Sequence, residues 1–321
     1  MRIGFAFVIC SVGVFQVPEK KAMEPDVASA PPAQKHRDVL NPPQNSDRPT
    51  AMFVSRTRLK ARLKEFWNSQ EEYWSLLAEE FPSNPGIRAR AASFIPEGNR
   101  ILDVACGRAA NCVWLLDRGQ YFGSDISYSG LRRAQRHGLH LACADAEALP
   151  FADRSFDAVL CTYALEHSVN PVQMLREMVR VVRSGGRIVL LGPTWDFPFW
   201  FPSSLQSKGG SLSWRCRFTL SRFVGQFAAV LFGRLPFLIL EEPDAFTLPF
   251  VIDSDAVYIA WSYEIIELLK RLGCRLIFGE VDTQLLGSNP FVRLLKRLLA
   301  LLPMYRHAGS TVLLVFERCA I

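Results

Sequence analysis

The sequence predicts an α/β fold: an open, doubly wound, mostly parallel sheet of seven strands, with helices before it and an insertion after the fifth strand. Three observations predict it. From Arg100 to Leu191, apolar runs of strand length alternate with helical patterns, the order that a parallel sheet requires. The first strand runs into a tight turn of small residues, Ala105-Cys106-Gly107, before a helix begins. Acidic residues stand at the ends of three successive strands: Asp103, Asp125 and Asp145.

The elements follow in order. Met1 to Val17 is nearly all apolar and reads as a weak signal or anchor, a buried segment or a mis-assigned start, with Met23 and Met52 as alternative starts. Glu19 to Thr50 is rich in Pro, Ala, Asp and Lys without apolar periodicity, the composition of a disordered linker. Met52 to Phe94 is helical, with Leu59, Leu63, Phe66 and Trp67 on one helix and Tyr73, Trp74, Leu76, Leu77 and Phe81 on a second, which Pro82 and Pro85 break. Strands are expected at Arg100–Ala105, Tyr121–Asp125, Leu139–Cys143, Phe156–Thr162 and Arg187–Leu191, and helices at Ala109–Asp117 and Ser129–His137. Before the fifth strand, Asn170 is a natural N-cap and Pro171 suits the first helical position. Met174, Leu175, Met178, Val179 and Val182 then give that helix a buried face, and Ser184-Gly185-Gly186 ends it.

From Pro193 the alternation stops. Ser262 is expected to cap a helix that Gly273 closes. A sixth strand at Arg275–Val281, an amphipathic helix at Phe291–Leu302 and a last strand at Thr311–Glu317 complete the fold. The chain thus divides into an apolar N-terminal segment and linker (1–51), a helical cap (52–98), a ligand-binding core (99–192), an apolar insertion (193–260) and the C-terminal part of the fold (261–321).

Composition excludes some classes of function. Hydrophobic residues make up 49% of the 321 residues and charged residues 21%, a balance that suits a folded chain with a sizeable core. The net charge of +6 suits an anionic surface or an acidic substrate, but no long basic run points to nucleic acid. None of the eight cysteines forms a C-x-x-C pair, which argues for reduced, packed thiols rather than a disulfide framework or a zinc site.

In an open parallel sheet the ligand crevice lies beyond the carboxyl ends of the strands. The turn after the first strand puts backbone N–H groups and a helix N-terminus there, suited to a carboxylate. Asp125, about 20 residues on, can accept from two ribose hydroxyls. A carboxylate at Asp145-Ala146-Glu147 can accept from an adenine amino group. The set suits an adenosine carrying a positive charge and disfavours phosphates. A dinucleotide site would need G-x-G-x-x-G, where this chain has Ala105, Gly107 and Ala110.

These residues resemble the class I S-adenosylmethionine-dependent methyltransferases, which have a Rossmann-like fold, and especially the branch acting on small molecules that includes the ubiquinone-biosynthesis enzymes. The resemblance is dense from Ile101 to Gly192, through Ile101–Ala109, Gly123–Ser127, Asp145–Phe151, Ser155-Phe156-Asp157, Leu165-Glu166-His167 and Leu175–Leu191. It implies S-adenosylmethionine as cofactor, held by Asp103, Ala105, Gly107, Asp125, Ile126, Asp145, Ala146 and Thr162. It also implies in-line transfer of a methyl group to a small-molecule or lipid-linked acceptor. The family usually has glycine where this chain has Ala105 and Ala109.

His167 is the candidate general base, with a capping or packing histidine as the alternative. No metal is expected, because in-line transfer needs none and the sequence shows no cluster of ligands. Residues 197–240 and 291–302 are candidates for a lid, a peripheral membrane contact or an extra core layer. The expected location is cytoplasmic, with membrane association left open. The alternative function is a catalytically degenerate methyltransferase fold acting as a membrane or scaffold protein.

Overall fold

The computed structural model describes residues 48–71, 73–75, 85–134, 139–208, 211–282 and 290–320. The expectations for residues 1–47, and for Leu76, Leu77 and Phe81, lie outside the described residues.

The chain opens with α1 (Arg48–Ser69) and α2 (Pro85–Ser93). The alternating part runs β1 (Asn99–Val104), α3 (Cys112–Leu115), β2 (Gly119–Asp125), α4 (Tyr128–Leu131), β3 (His140–Cys143), β4 (Phe156–Thr162), α5 (Pro171–Val181) and β5 (Val182–Pro193). Then come α6 (Leu212–Leu231), α7 (Ser262–Arg271), β6 (Cys274–Asp282), α8 (Pro290–Leu299) and β7 (Thr311–Arg318). The strands form one sheet in the order β3-β2-β1-β4-β5-β7-β6. Pairing is parallel from β3 to β5, whereas β7 runs antiparallel to both β5 and β6. The chain enters at β1, steps outward to β3 and returns to β4. The order therefore reverses between β1 and β4, which is where such sheets place their ligands.

The period-two rule explains why the central strands read as unbroken apolar runs. In β4, Val159 and Cys161 enter the core on one face, and Ala158 and Leu160 enter the core on the other. β5 divides in the same way, with Ile188 and Leu190 opposite Val189 and Leu191. The first core is covered by α5 and α7 through Met174, Leu175, Met178, Ile265 and Leu269. The second is covered by α2 and α3 through Ala91, Ala92, Cys112 and Leu115. Cys106, Cys112, Cys161 and Cys274 are buried free thiols, while Cys143, Cys216 and Cys319 are exposed ones.

Three local expectations are corrected. Helices α3 and α4 are single turns, shorter than their apolar patterns implied. Ser184-Gly185-Gly186 does not close α5. It lies inside β5, because α5 ends at Val181 and the chain turns extended at Val182. Arg318 of β7 takes up the helix-end carbonyls there, its Nη1 donating to Val179 O at 2.6 Å and Val182 O at 2.6 Å. Ser262 is not a cap: it is the first residue of α7, and its N–H and hydroxyl both donate to the buried Asp196. At α5 the expected cap is present, with Asn170 Oδ1 accepting from Gln173 N at 3.3 Å.

Candidate functional site: a crevice of carboxylates at the strand ends

The turn after β1 is an alternating run of left-handed residues: Ala105 at φ 54°, Gly107 at φ 55° and Ala109 at φ 57°. Its N–H groups are taken up within the protein: Cys106 N donates to Ser124 O at 3.0 Å, Gly107 N to Asp125 Oδ2 at 2.8 Å and Ala109 N to Cys106 O at 2.8 Å. Glycine adopts this conformation freely and alanine pays for it. The two alanines thus sit at places where the backbone itself calls for glycine.

Asp103 is fully buried. It accepts from Tyr121 Oη at 2.9 Å and from Asn111 Nδ2 at 3.2 and 3.3 Å. Burial pushes its pKa up to about 7 against the pull of those bonds. Thr162 joins the same network, its hydroxyl accepting from Asn111 Nδ2 at 2.9 Å and Arg88 Nη1 at 3.1 Å. The Arg88 guanidinium lies 4.6 Å over the Tyr163 ring.

Asp125, at the end of β2, is 8% exposed. It ties its own strand end to the turn after β1: Oδ2 accepts from Gly107 N at 2.8 Å and Oδ1 from Ser127 N at 2.7 Å. Burial raises its pKa to about 6. Each carboxylate oxygen keeps a second lone pair for a further donor. Ile126 follows it, with its carbonyl 3.8 Å from Cys143 Sγ. After β3, Asp145 Oδ1 accepts from Glu147 N at 2.9 Å, and Ala146 packs against the main core.

Helix α1 crosses the ends of β2 and β3. Lys60 Nζ reaches Asp145 Oδ2 at 2.8 Å and also pairs with Glu147. Burial works against its charge, but the two carboxylates outweigh it and its pKa stands raised. Asn68 Oδ1 accepts from Ser129 N at 3.0 Å, and Trp67 O accepts from Ser127 Oγ at 3.1 Å. Trp74 is held by a bond from its Nε1 to Trp67 O at 2.8 Å. Its ring lies so close to Gly107 and Gly130 that a Cβ on either glycine would meet it at 3.3 and 2.4 Å. Trp74 therefore covers the turn after β1, with Tyr73 packed edge-on against it.

The far end of the crevice is built on the short helical turn after β4, Leu165–His167. His167 Nδ1 stands 3.4 Å from Asp255 Oδ2, and Nε2 stands 3.8 Å from Glu166 Oε1. Trp67 Nε1 donates to the same Asp255 oxygen at 2.8 Å. Burial opposes the imidazolium, yet Asp255, Glu166 and Asp253 raise the His167 pKa overall. Glu166 is buried and pushed up to about 8, chiefly by that burial. The Tyr73 hydroxyl is held neutral, first by burial and then by the charges of Asp255, Asp125 and Glu166.

The fold therefore brings the residues expected from the sequence to one edge of the sheet. Sequence reasoning missed Lys60, Arg88, Asn111, Tyr121, Asp253 and Asp255. For Asn111 a signal existed, a polar residue just before a short apolar helix. For Asp253 and Asp255 there was none, since they reach the site only through the folding of the segment between β5 and α7. The expectation that no ligand cluster exists is corrected: Glu166, His167 and Asp253 offer ligand atoms all within 4.8 Å of one another.

Comparison with known proteins bears on this edge directly. Residues 102–190 match the family model described as a methyltransferase domain. The segment from β1 to β5 is thus similar to a methyltransferase domain. The match runs from β1 through β5 and so spans the strand ends that bear Asp103, Asp125, Asp145 and His167. A demethylmenaquinone methyltransferase of Mycobacterium sp. (strain KMS) is 41% identical over 101 residues, 31% of this chain and 44% of that protein. One from Corynebacterium urealyticum is 36% identical over 104 residues, 32% of this chain and 45% of that protein. The chain thus spans less than half the length of these curated relatives. Among solved structures, an S-adenosylmethionine-dependent methyltransferase from Mesorhizobium loti aligns at TM-score 0.46 and 17% identity, over 74% of this chain and 97% of that one. The putative methyltransferase in complex with the Haloferax volcanii Trm112 activator aligns at TM-score 0.47 and 16% identity, over 79% and 98%.

Proposed function

We propose that this protein transfers a methyl group from S-adenosylmethionine to a small, ring-bearing, quinone-like acceptor carried on a lipid tail. The observation that supports it most is the row of carboxylates at the ends of β1, β2 and β3 beside a left-handed turn. The donor set fits the cofactor. The free lone pairs of Asp125 suit two ribose hydroxyls, and the turn that Asp125 braces through Gly107 N walls the amino-acid end. Asp145 and the backbone at Ala146 suit the adenine edge. Asp103, with Asn111 and Thr162 behind it, gives negative charge on the methionine side. Bound there, the cofactor supplies a methyl group already activated by its sulfonium.

What remains for the protein is positioning and the exclusion of water. Trp74 and α1 cover the crevice, and Glu166 and His167 form the polar end that meets the acceptor. The demethylmenaquinone relatives support a quinone-like ring, and the apolar segment after β5 supports a lipid tail.

That segment also supports contact with a bilayer. Leu220, Val224, Phe227 and Leu231 form an exposed stripe along α6 at helical spacing. Phe291, Leu294 and Leu298 form another along α8, continued by Leu301. The two lie on neighbouring elements, since Phe223 stacks on Tyr305 at 5.7 Å, and Tyr305 Oη donates to Gln226 Oε1 at 2.7 Å. Between Leu205 and Leu240 the cations are Lys208, Arg215, Arg217, Arg222 and Arg234, and there is no acidic residue. Among the described residues no helix is long and apolar enough to cross a membrane, so the contact would be peripheral.

The test is binding of S-adenosylhomocysteine to the full chain and to Asp125→Ala, followed by labelled methyl transfer to demethylated quinols in vesicles. Transfer that is lost with Asp125→Ala supports the reading. A protein that binds the cofactor but labels no quinol would move the acceptor to another class.

A further inference from the structure

The polar end of the crevice holds more negative charge than methyl transfer uses. Asp253 and Asp255 come from the segment between β5 and α7, and Glu166 and His167 come from the turn after β4. We propose that Glu166, His167 and Asp253 form a binding site for one divalent transition-metal ion, Zn2+ or Mn2+.

Geometry carries the proposal first. The ligand atoms of the three residues lie within 4.8 Å of one another. Two ligands on a common ion at ~2.1 Å stand at most about 4.2 Å apart. His167 Nε2 and Glu166 Oε1, at 3.8 Å, already satisfy that limit.

A second observation is independent of the first. Glu166 Oε1 is buried and has no hydrogen-bond partner, in a residue that is 1% exposed. A buried carboxylate oxygen without a donor is costly, and in native proteins it marks a place where a ligand completes the set.

The orientation of His167 agrees. Asp255 faces its Nδ1 at 3.4 Å and is itself fixed by the Trp67 indole at 2.8 Å. At that distance Nδ1 makes no hydrogen bond, so the ring, packed edge-on against Trp67, keeps both nitrogens available as ligands. Of the two, Nε2 faces Glu166. Two carboxylates and one imidazole suit Zn2+ and Mn2+ better than a purely oxygen-seeking Mg2+.

The ion would sit where the acceptor's oxygen arrives. Held by Glu166, His167 and Asp253, it would supply Lewis-acid chemistry that lowers the pKa of an oxygen beside it. His167 then serves as a ligand instead of a base. The metal site itself does not depend on the methyl-transfer reading, because it can be measured without cofactor or acceptor.

The experiment strips the full chain with a chelator, adds ZnCl2 or MnCl2, and measures bound metal by mass spectrometry and calorimetry. Asp145→Asn, a carboxylate in the same crevice outside the trio, serves as control. One ion per chain is expected in the wild type and in Asp145→Asn, with affinity at least tenfold weaker in Glu166→Gln and in Asp253→Asn. Thermal melts establish that each variant is folded. Should either variant fail to fold, spin-echo spectroscopy on the Mn2+-loaded wild type decides, and coupling to an imidazole nitrogen is expected. Equal binding by wild type and both folded variants, no stoichiometric binding at all, or the absence of that nitrogen coupling would overturn the site.

Discussion

Ala105 holds a methyl group at φ 54°, in backbone space that costs an L-residue roughly 1–2 kcal/mol. Glycine would relieve that cost and give back part of it as unfolded-state entropy. Ala105→Gly is therefore expected to stabilise the chain by about 0.5–1 kcal/mol, a rise in Tm of about 2 °C for a protein of this size. Thermal unfolding checks it, and a lower Tm would mean that the alanine methyl makes packing contacts worth more than the strain. Ala109 is a less clean site because its side chain is buried, and removing it also loses contacts. At this scale the sequence was readable where a residue's role depends on its near neighbours. Asp103, Gly107 and Asp125 are marked by the strand ends that carry them. Lys60 and Asp255 were not readable, since each meets its partner through a separate part of the chain.

Helix α6 shows what an element can reveal. Its inner side is anchored by Gln226, Ala229 and Arg222, the last donating to Trp195 O at 2.6 Å. Its outer stripe is left to solvent, with Leu231 at 71% exposure. Burying such residues in an interface is worth about 25 cal/mol per Å² of apolar surface, and the arginines add attraction to anionic headgroups. The full chain is expected to float with phosphatidylglycerol vesicles and much less with phosphatidylcholine. Leu220→Asp with Phe227→Asp should cut flotation at least tenfold while leaving the melting curve in place. Equal flotation by that variant would remove α6 from the interface. The sequence displayed the apolar run but not which half of it faces outward. That depends on Tyr305 and Trp195, which pack against α6 from far along the chain. Element ends were harder still. Helix α3 passes directly into a 3-10 turn at Leu116–Arg118, and β5 begins early, where Arg318 takes up the carbonyls at the end of α5.

The whole molecule keeps an unusual number of acids in its interior. Burial is the main cause in each: Asp103 is pushed up to about 7, Asp125 to about 6, Glu166 to about 8, Asp196 to about 7 and Glu264 to about 8. With raised folded-state pKa values, the native chain holds protons that the unfolded chain has released. Their stabilising effect is complete below the ordinary carboxylate range and is lost as pH rises through about 6 to 8. Asp157 and Glu177, whose pKa values are lowered by Arg100, Arg183 and Arg180, act in the opposite sense, but only at acid pH. The free energy of urea unfolding should therefore fall between pH 5 and pH 8, by about 1.4 kcal/mol per pH unit for each proton still held. A flat or rising profile would mean that these carboxylates are ionised in the native state and paired more strongly than their bonds suggest. Asp103, Asp125 and Glu166 also line the site, with Asp253 and Asp255 beside them, and a bound cation would draw off the protons they hold. The overall fold was legible because alternating strands and helices leave a strong pattern. The acidic pocket was legible from β1 to the Leu165–His167 turn after β4, but not at Asp253 and Asp255, which lie in a segment with no regular period.

Binding of S-adenosylmethionine by Asp125 and the turn after β1 underlies the proposed function. It is tested most directly by calorimetric titration of S-adenosylhomocysteine into the full chain and into Asp125→Ala, with both shown to be folded. The account predicts micromolar binding, about −8 kcal/mol, weakened at least tenfold in the variant. No binding to the folded wild-type chain, or equal binding to both proteins, would contradict it.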